Sequence, residues 1–239
     1  MLYLSRLILN TRQRAVQRDL ADCNRLHARI MAALPGAPDR TTAREHFGVL
    51  YRLEPLDGPE HMRLLVQSNH LPDWSNLPAG YLTPSIDERG NPVVRSIEDE
   101  IGRIRQGMRL RFRLRANPTK RVSERNTEQD ARWHGKRIEL RREADQLAWL
   151  ERKAHECGFV LLGVQLAGAD LPDLRITDTP KQHGQRDNQR LSFGVALFEG
   201  QLTVVDTAHF HQALRAGVGS AKAYGFGLLS VALLSGGAS

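Results

Sequence analysis

The chain of 239 residues carries 34 Lys and Arg against 27 Asp and Glu, a formal net charge of +7 in which arginine supplies most of the excess. That balance points to a polyanionic partner, and the planar guanidinium suits phosphate better than an ammonium does. Cys23 and Cys157 stand far apart in no CxxC pairing, which argues against a disulfide scaffold or a cysteine zinc site, and no apolar run approaches the length of a membrane span. The opening MLYLSRLILN contains Arg6 and lacks the length and cleavage pattern of a signal peptide, so a cytoplasmic protein with no membrane partner is expected.

Leu2 to Leu9 alternates and reads as a first strand, followed by the basic run Arg12, Arg14, Arg18. Asp19 or Asp22 then caps a helix whose apolar positions Leu20, Cys23, Leu26, Ile30 and Leu34 recur at helical spacing until Pro35-Gly36. Val49 to Leu53 and Met62 to Val66 form a hairpin across a turn-rich segment. Residues 70 to 92 carry four prolines and read as loop, with a short helix near Asp73 to Leu77 and a strand around Val93 to Ile97.

Arg109 to Arg115, RLRFRLR, alternates strictly: Leu110, Phe112 and Leu114 face a core, and the four arginines form a cationic stripe whose mutual repulsion favours a polyanion partner. Residues 119 to 137 make a basic polar loop. Leu140 to Cys157 is a helix ended by Gly158, Phe159 to Leu166 a buried strand, and residues 167 to 190 a long polar connection that is either functional or mobile. Leu191 to Phe198 and Leu202 to Val205 read as a hairpin around Glu199-Gly200-Gln201, and Asp206 or Thr207 caps a last helix.

Gly217 to Leu234, GVGSAKAYGFGLLSVALL, places four glycines around Lys222 ahead of an apolar strand. Bare backbone amides and one ammonium make a phosphate cradle, although the spacing is not GxxxxGK[ST], and a turn that needs positive φ explains the glycines equally well. Taken together the elements give strand, helix, strand, strand, a weak segment and strand, then strand, helix, strand, strand, helix and strand, which is the ferredoxin-like pattern twice. The fold class is α+β: two tandem ferredoxin-like (RRM-like) domains with antiparallel sheets, residues 1 to 97 and 98 to 239, each leaving one sheet face for ligands. The aromatic motifs with which RNA-recognition domains stack bases are missing.

The first strand with RDL and the helical His after it, RLRFRLRANPTKR, QLAWLERKAHECGF, VALFEGQLTV and GVGSAKAYGFGLLS occur in an order that resembles the CasE-type CRISPR RNA-processing endoribonucleases of the Cascade system. The resemblance spans nearly the whole chain. It implies a metal-independent enzyme that binds the stem-loop of a CRISPR repeat transcript, cuts at the base of the stem and keeps the mature crRNA, alongside other Cascade subunits. In that chemistry the ribose 2′-hydroxyl attacks in line, leaving a 2′,3′-cyclic phosphate and a 5′-hydroxyl, and the protein supplies base, acid and charge stabilisation.

The family's helical His falls on His27, at the border of the apolar stripe of Leu26, Cys23 and Ile30, where an imidazole is held firmly and still meets substrate. Family members carry a Tyr three residues earlier, whereas this chain has Asn24, which bonds a phosphate or hydroxyl but transfers no proton; Tyr224 or a lysine is the candidate substitute. Lys222 matches the basic residue of the family's glycine loop, Arg113, Arg115 and Lys120 its basic strand and loop, and Arg175 and Lys181 are assigned to RNA from the polar stretch, with Arg186 not separable from them.

No metal or cofactor is expected: Glu98-Asp99-Glu100 cannot turn three consecutive carboxylates toward one ion, and His209 and His211 diverge on a helix. A non-catalytic or slow RNA-hairpin-binding subunit that anchors crRNA in a larger complex is the alternative reading, with Asn24 as its mark. A general DNA-binding protein is a third.

Overall fold

The computed structural model describes residues 1–36, 43–56, 58, 60–84, 89–122, 135–166 and 169–234. β1 (Tyr3–Asn10) is followed by α1 (Arg14–Ala21), α2 (Cys23–Met31) and the short α3 (Ala43–His46), then β2 (Leu50–Pro55), β3 (His61–Ser68) and β4 (Val93–Ser96). These strands pair antiparallel in the order β2-β3-β1-β4, the ferredoxin-like order. Leu7 and Leu9 of β1, Tyr51 of β2 and Leu64 and Val66 of β3 pack against Val16 of α1 and Leu26 and Ile30 of α2.

The helix expected from Leu20 is two helices, because Asp22 is extended at φ −137° and its carboxylate accepts from the amides of Asn24 and Arg25 as the N-cap of α2. Of the basic run before it, Arg14 and Arg18 lie in α1 and Arg12 in the turn that precedes it. Residues 73–77 turn without forming the expected helix; Trp74 and Tyr81 from this connection enter the core instead, Trp74 Nε1 donating to Ser5 Oγ at 3.1 Å.

After α4 (Glu98–Gly102), whose Glu98 and Glu100 pair with Arg215 and Arg95, comes β5 (Arg109–Ala116). β6 (Thr119–Arg121) and β7 (Arg137–Glu139) pair with each other; the middle of the expected basic loop, residues 123–134, lies outside the described residues. α5 (Glu143–Glu156), β8 (Phe159–Leu161), β9 (Gly163–Leu166), β10 (Ala169–Pro172), β11 (Leu174–Arg186), β12 (Gln189–Val204), α6 (Thr207–Ala216) and β13 (Leu229–Leu233) complete the chain. The second sheet runs β11-β12-β5-β13, with β8 pairing β12 as well. The alternation of RLRFRLR holds: Leu110, Phe112 and Leu114 are buried with Trp149 and Leu150 of α5, Phe198 of β12 and Phe210 and Leu214 of α6.

Three expectations need correction. Leu191 to Phe198 and Leu202 to Val205 are one 16-residue strand, not a hairpin. Gly200 serves a close approach rather than a turn, since a Cβ there would lie 2.3 Å from the Asp173 carbonyl oxygen. Within the polar connection, residues 174–186 form β11, whose backbone pairs with β12 to the tip although few of its side chains are apolar. Phe159 to Leu166 breaks at Leu162, whose amide donates to Gln201 O at 2.9 Å.

The two sheets meet at Arg52. Only 2% exposed, its guanidinium donates from Nε to Glu54 Oε1 at 2.9 Å, from Nη1 to Leu228 O at 3.0 Å and Arg113 O at 3.2 Å, and from Nη2 to Ser230 Oγ at 2.9 Å. Gln67 of β3 adds a second tie, donating to Leu214 O at 2.9 Å and so satisfying a terminal carbonyl of α6. Burial pushes the Glu54 carboxyl up, but the charge and hydrogen bond of Arg52, with the hydrogen bond of Arg113, outweigh it and hold the group below its ordinary value.

Removing the cation while Glu54 stays buried is therefore costly: Arg52→Ala is expected to lower the unfolding free energy by about 3 kcal/mol or more, read from the denaturant midpoint at neutral pH. Because the Glu54 pKa is depressed in the fold, this contribution is complete above the unfolded glutamate value and is lost as pH falls through the folded value. The gap between wild type and variant should accordingly narrow in acid.

Candidate functional site

The N-terminus of α2 is clamped by the tip of the long β11–β12 hairpin. Asp22 Oδ1, already bonded to the Asn24 amide at 2.9 Å, also accepts from the Gln185 amide at 3.2 Å, and Asn24 Nδ2 donates to Gln185 O at 3.0 Å. The approach is so close that a Cβ on Gly184 would sit 2.6 Å from Cys23 Sγ. Burial, then the Asp22 charge, pushes the Cys23 thiol up to about 11, so it stays protonated and packs as an apolar group.

One turn along α2 the half-buried His27 meets Tyr224 from the other end of the chain, the rings edge-to-face with centroids 6.5 Å apart. Tyr224 closes a short 3₁₀ turn, Lys222–Tyr224, and stacks on Phe193 of β12 at 4.9 Å. The glycine loop is built for this. Gly217, Gly219, Gly225 and Gly227 all take φ between 76° and 88°, and Cβ atoms on Gly217 and Gly227 would lie 2.9 Å and 2.8 Å from the carbonyl oxygens of Gly227 and Val218 across the loop. The loop closes through Val218 N to Gly227 O and Gly227 N to Arg115 O, both at 2.9 Å.

Arg115, expected on RNA, is spent inside the protein. Its guanidinium lies 4.6 Å from the Phe226 ring centre and donates to Gly225 O at 3.1 Å and to Gln182 Oε1 at 2.8 Å, tying the glycine loop to β11. Burial lowers its pKa to about 10, still charged at neutral pH. Arg113 is likewise engaged, with Glu54 at 3.1 Å and Glu199 at 2.6 Å, and Lys181 with Glu139 at 3.0 Å. Arg175 is exposed at the far end of β11 from the His27 helix, beside Glu199 in register. Arg186, the third cation of the polar stretch, is exposed at the end of β11, at the tip of the hairpin whose Gly184 and Gln185 rest on α2.

Lys222 and Lys120 share one feature. Both line a cleft of about 590 Å³ between the β6–β7 pair, α5, α6 and the glycine loop, together with Arg121, Arg137, Arg152 and Lys153. Its carboxylate Glu156 is paired with Arg152 and Lys153, so the wall carries a net positive charge. The structure thus gathers His27, Asn24 and Tyr224 at one place and sets Lys222, two residues from Tyr224, on the wall of a cationic cleft. Arg152, Lys153, Gln185 and Phe193 escaped sequence reasoning. The adjacent Arg152-Lys153 pair was a readable signal of charge density, whereas nothing local marks a stack between Phe193 and Tyr224.

His209 and His211 serve structure: His209 Nδ1 lies 2.8 Å from the capping Asp206, and His211 Nε2 lies 3.2 Å from Ile104 O.

Two ferredoxin-like units, a helix-borne imidazole meeting a phenol at their junction and a cationic cleft beside them define a tandem ferredoxin-like protein with a site for a polyanion. A family model described as CRISPR associated protein matches residues 2–232. The chain belongs to that family, in its CasE type. It is 38% identical over 237 residues to the CRISPR-associated endoribonuclease Cse3 of Thermus thermophilus, covering 97% of this chain and 100% of that protein. It is 29% identical over 235 residues to the CRISPR system Cascade subunit CasE of Escherichia coli K12, covering 98% and 100%. Among solved structures, Cse3 bound to a 19 nt RNA superposes with a TM-score of 0.76 at 37% identity over 97% of this chain and 99% of that one. Cas6e from Escherichia coli K-12 superposes with a TM-score of 0.65 at 27% identity, covering 97% and 100%.

If Arg115 is an internal tie, its loss shows without RNA. Arg115→Lys, which keeps the charge but loses the planar fork, is expected to lower the unfolding free energy of the RNA-free protein by about 1–2 kcal/mol. An unchanged denaturation midpoint would return Arg115 to the surface role that the sequence implied.

Proposed function

We propose that this chain is a metal-independent endoribonuclease that binds the stem-loop of a CRISPR repeat RNA, cuts at the base of the stem and retains the crRNA. The observation that carries the proposal is the edge-to-face meeting of His27 and Tyr224 beside a loop whose Lys222 lines a cationic cleft. An RNA stem presents its phosphates to such a cleft, and Lys120, Arg121, Arg137, Arg152, Lys153 and Lys222 hold it there by charge. Arg186 at the hairpin tip is the cation we assign to the strand passing α2. Arg113, Arg115 and Lys181 shape this surface, and Arg175 stands apart from the reacting centre.

With the scissile phosphate held at the loop, the 2′-hydroxyl attacks phosphorus, its proton passes to a base and the departing 5′-oxygen receives a proton from an acid. His27 is the group we assign to proton transfer. Tyr224 is the second group of that pair, taking the place of the family Tyr that Asn24 replaces, so that one of the two accepts the 2′-proton while the other donates to the departing 5′-oxygen, and Lys222 offsets the charge that grows on the phosphoryl oxygens. The products are a 2′,3′-cyclic phosphate and a 5′-hydroxyl. The chain reads as two domains meeting near residue 97, and it acts in the cytoplasm with other Cascade subunits. No helix among the described residues is long and apolar enough to cross a membrane.

One observation favours a binding subunit that cleaves slowly or not at all: the Asn24 amide is occupied with Gln185 O and offers no proton. The two readings part in one assay. Incubated with its repeat hairpin in EDTA, the protein should make a single cut that leaves a cyclic phosphate, and His27→Ala should slow that cut by about 100-fold or more while still binding. Tight binding without any cut by the wild type would establish the anchoring role instead. Lys222→Ala should weaken hairpin binding and reduce the slope of affinity against salt by about one charge; an unchanged slope would leave the loop a purely structural turn.

A further inference from the structure

His27 and Tyr224 belong to elements that nothing in the chain's local order holds together: one is on α2 above the first sheet, the other on the loop entering the last strand of the second. An edge contact of 6.5 Å between them needs a part that touches both carriers. We propose that Tyr51, at the middle of the fold and away from the substrate, is the positioning residue that sets the His27–Tyr224 geometry.

Tyr51 lies on β2 with 1% of its surface exposed, inside the first core beside Leu26 and Ile30. Its hydroxyl donates to Cys23 O at 3.3 Å. Cys23 stands four residues before His27, so this is the carbonyl toward which α-helical geometry directs the His27 amide. One side of the same ring bears on the loop: a Cβ on Gly225 would sit 2.9 Å from Tyr51 Cε2, and Gly225 is the residue after Tyr224. One rigid phenol thus abuts the turn of helix that leads to the imidazole and the backbone next to the second phenol.

The support beneath Tyr51 is equally fixed. Arg52, the next residue, points to the opposite face of β2 and bonds Leu228 O at 3.0 Å, where the glycine loop ends, and Ser230 Oγ at 2.9 Å. β2 therefore cannot slide against the second sheet without breaking buried, charge-assisted hydrogen bonds. Burial holds the Tyr51 hydroxyl well above its ordinary pKa, so it remains a proton donor throughout the neutral range.

This inference rests on the assignment of His27 and Tyr224 to catalysis, and its test separates the two. Single-turnover cleavage of a repeat hairpin is measured for wild type, His27→Ala and Tyr51→Phe, with the dissociation constant of the same hairpin carrying a 2′-deoxy block at the cut site and the thermal midpoint of each RNA-free protein. Tyr51→Phe keeps the ring in the core and removes only the bond to Cys23 O. The expected result is a cleavage rate lowered about tenfold, a dissociation constant within twofold of wild type and a displaced His27 imidazole resonance in ¹³C-histidine-labelled protein. A rate within twofold of wild type, an unmoved resonance, or rate, affinity and thermal midpoint all falling together would overturn it. A wild type that does not cleave sinks the catalytic assignment itself, and that outcome is visible in the same experiment.

Discussion

A guanidinium withdrawn from water must find acceptors for its donors, and Arg52 finds them on both sides of the junction. Glu54 is its neighbour on β2, while Arg113 O and Ser230 Oγ belong to the second sheet and Leu228 O to the residue just before β13. A buried, hydrogen-bonded charge tolerates little displacement, because each lost partner exposes a desolvation cost that nothing else offsets. The two sheets consequently meet in one register. The meeting of His27 with Tyr224 depends on that register, since the imidazole is carried by the first unit and the phenol, the loop lysine and the cationic cleft by the second.

Around that junction the backbone makes close approaches that glycine alone permits. Gly184 lets the hairpin tip rest on α2, and Gly217 and Gly227 let the loop fold onto the end of β5. Asp22 then does two jobs with one carboxylate, capping α2 and gripping the Gln185 amide. The helix carrying His27 is thus held at its N-terminus by side chain and backbone together. The position of the imidazole is set by packing laid down away from it.

Much of the frame was legible in the sequence because its signals are local. The period-two alternation of RLRFRLR became β5, the apolar spacing of Ala144, Leu147, Leu150 and Ala154 became α5, which begins at Glu143 rather than Leu140, and Asp206 capped α6 as its type suggests. Reading failed where a residue serves a distant neighbour. Glu199-Gly200-Gln201 has the chemistry of a turn, yet Gly200 is there so that Asp173 can pass, and β12 runs straight through. β11 has almost no apolar face to announce it as a strand, since beyond Ile176 it is held by backbone pairing with β12. In the arginine stripe, a sequence does not say which guanidiniums already have partners inside the protein; Arg113 and Arg115 do. His27 was visible from its place on the helix and from the family resemblance, whereas its meeting with Tyr224 exists only once the two units dock.

The central claim is that His27 and Tyr224 act as one unit made by that docking. A double-mutant cycle on the single-turnover cleavage rate, with His27→Ala, Tyr224→Phe and the pair, tests it most directly. Coupled groups predict that the double variant is scarcely slower than His27→Ala alone. Rate losses that simply multiply would show that the two side chains act independently, and would contradict the account.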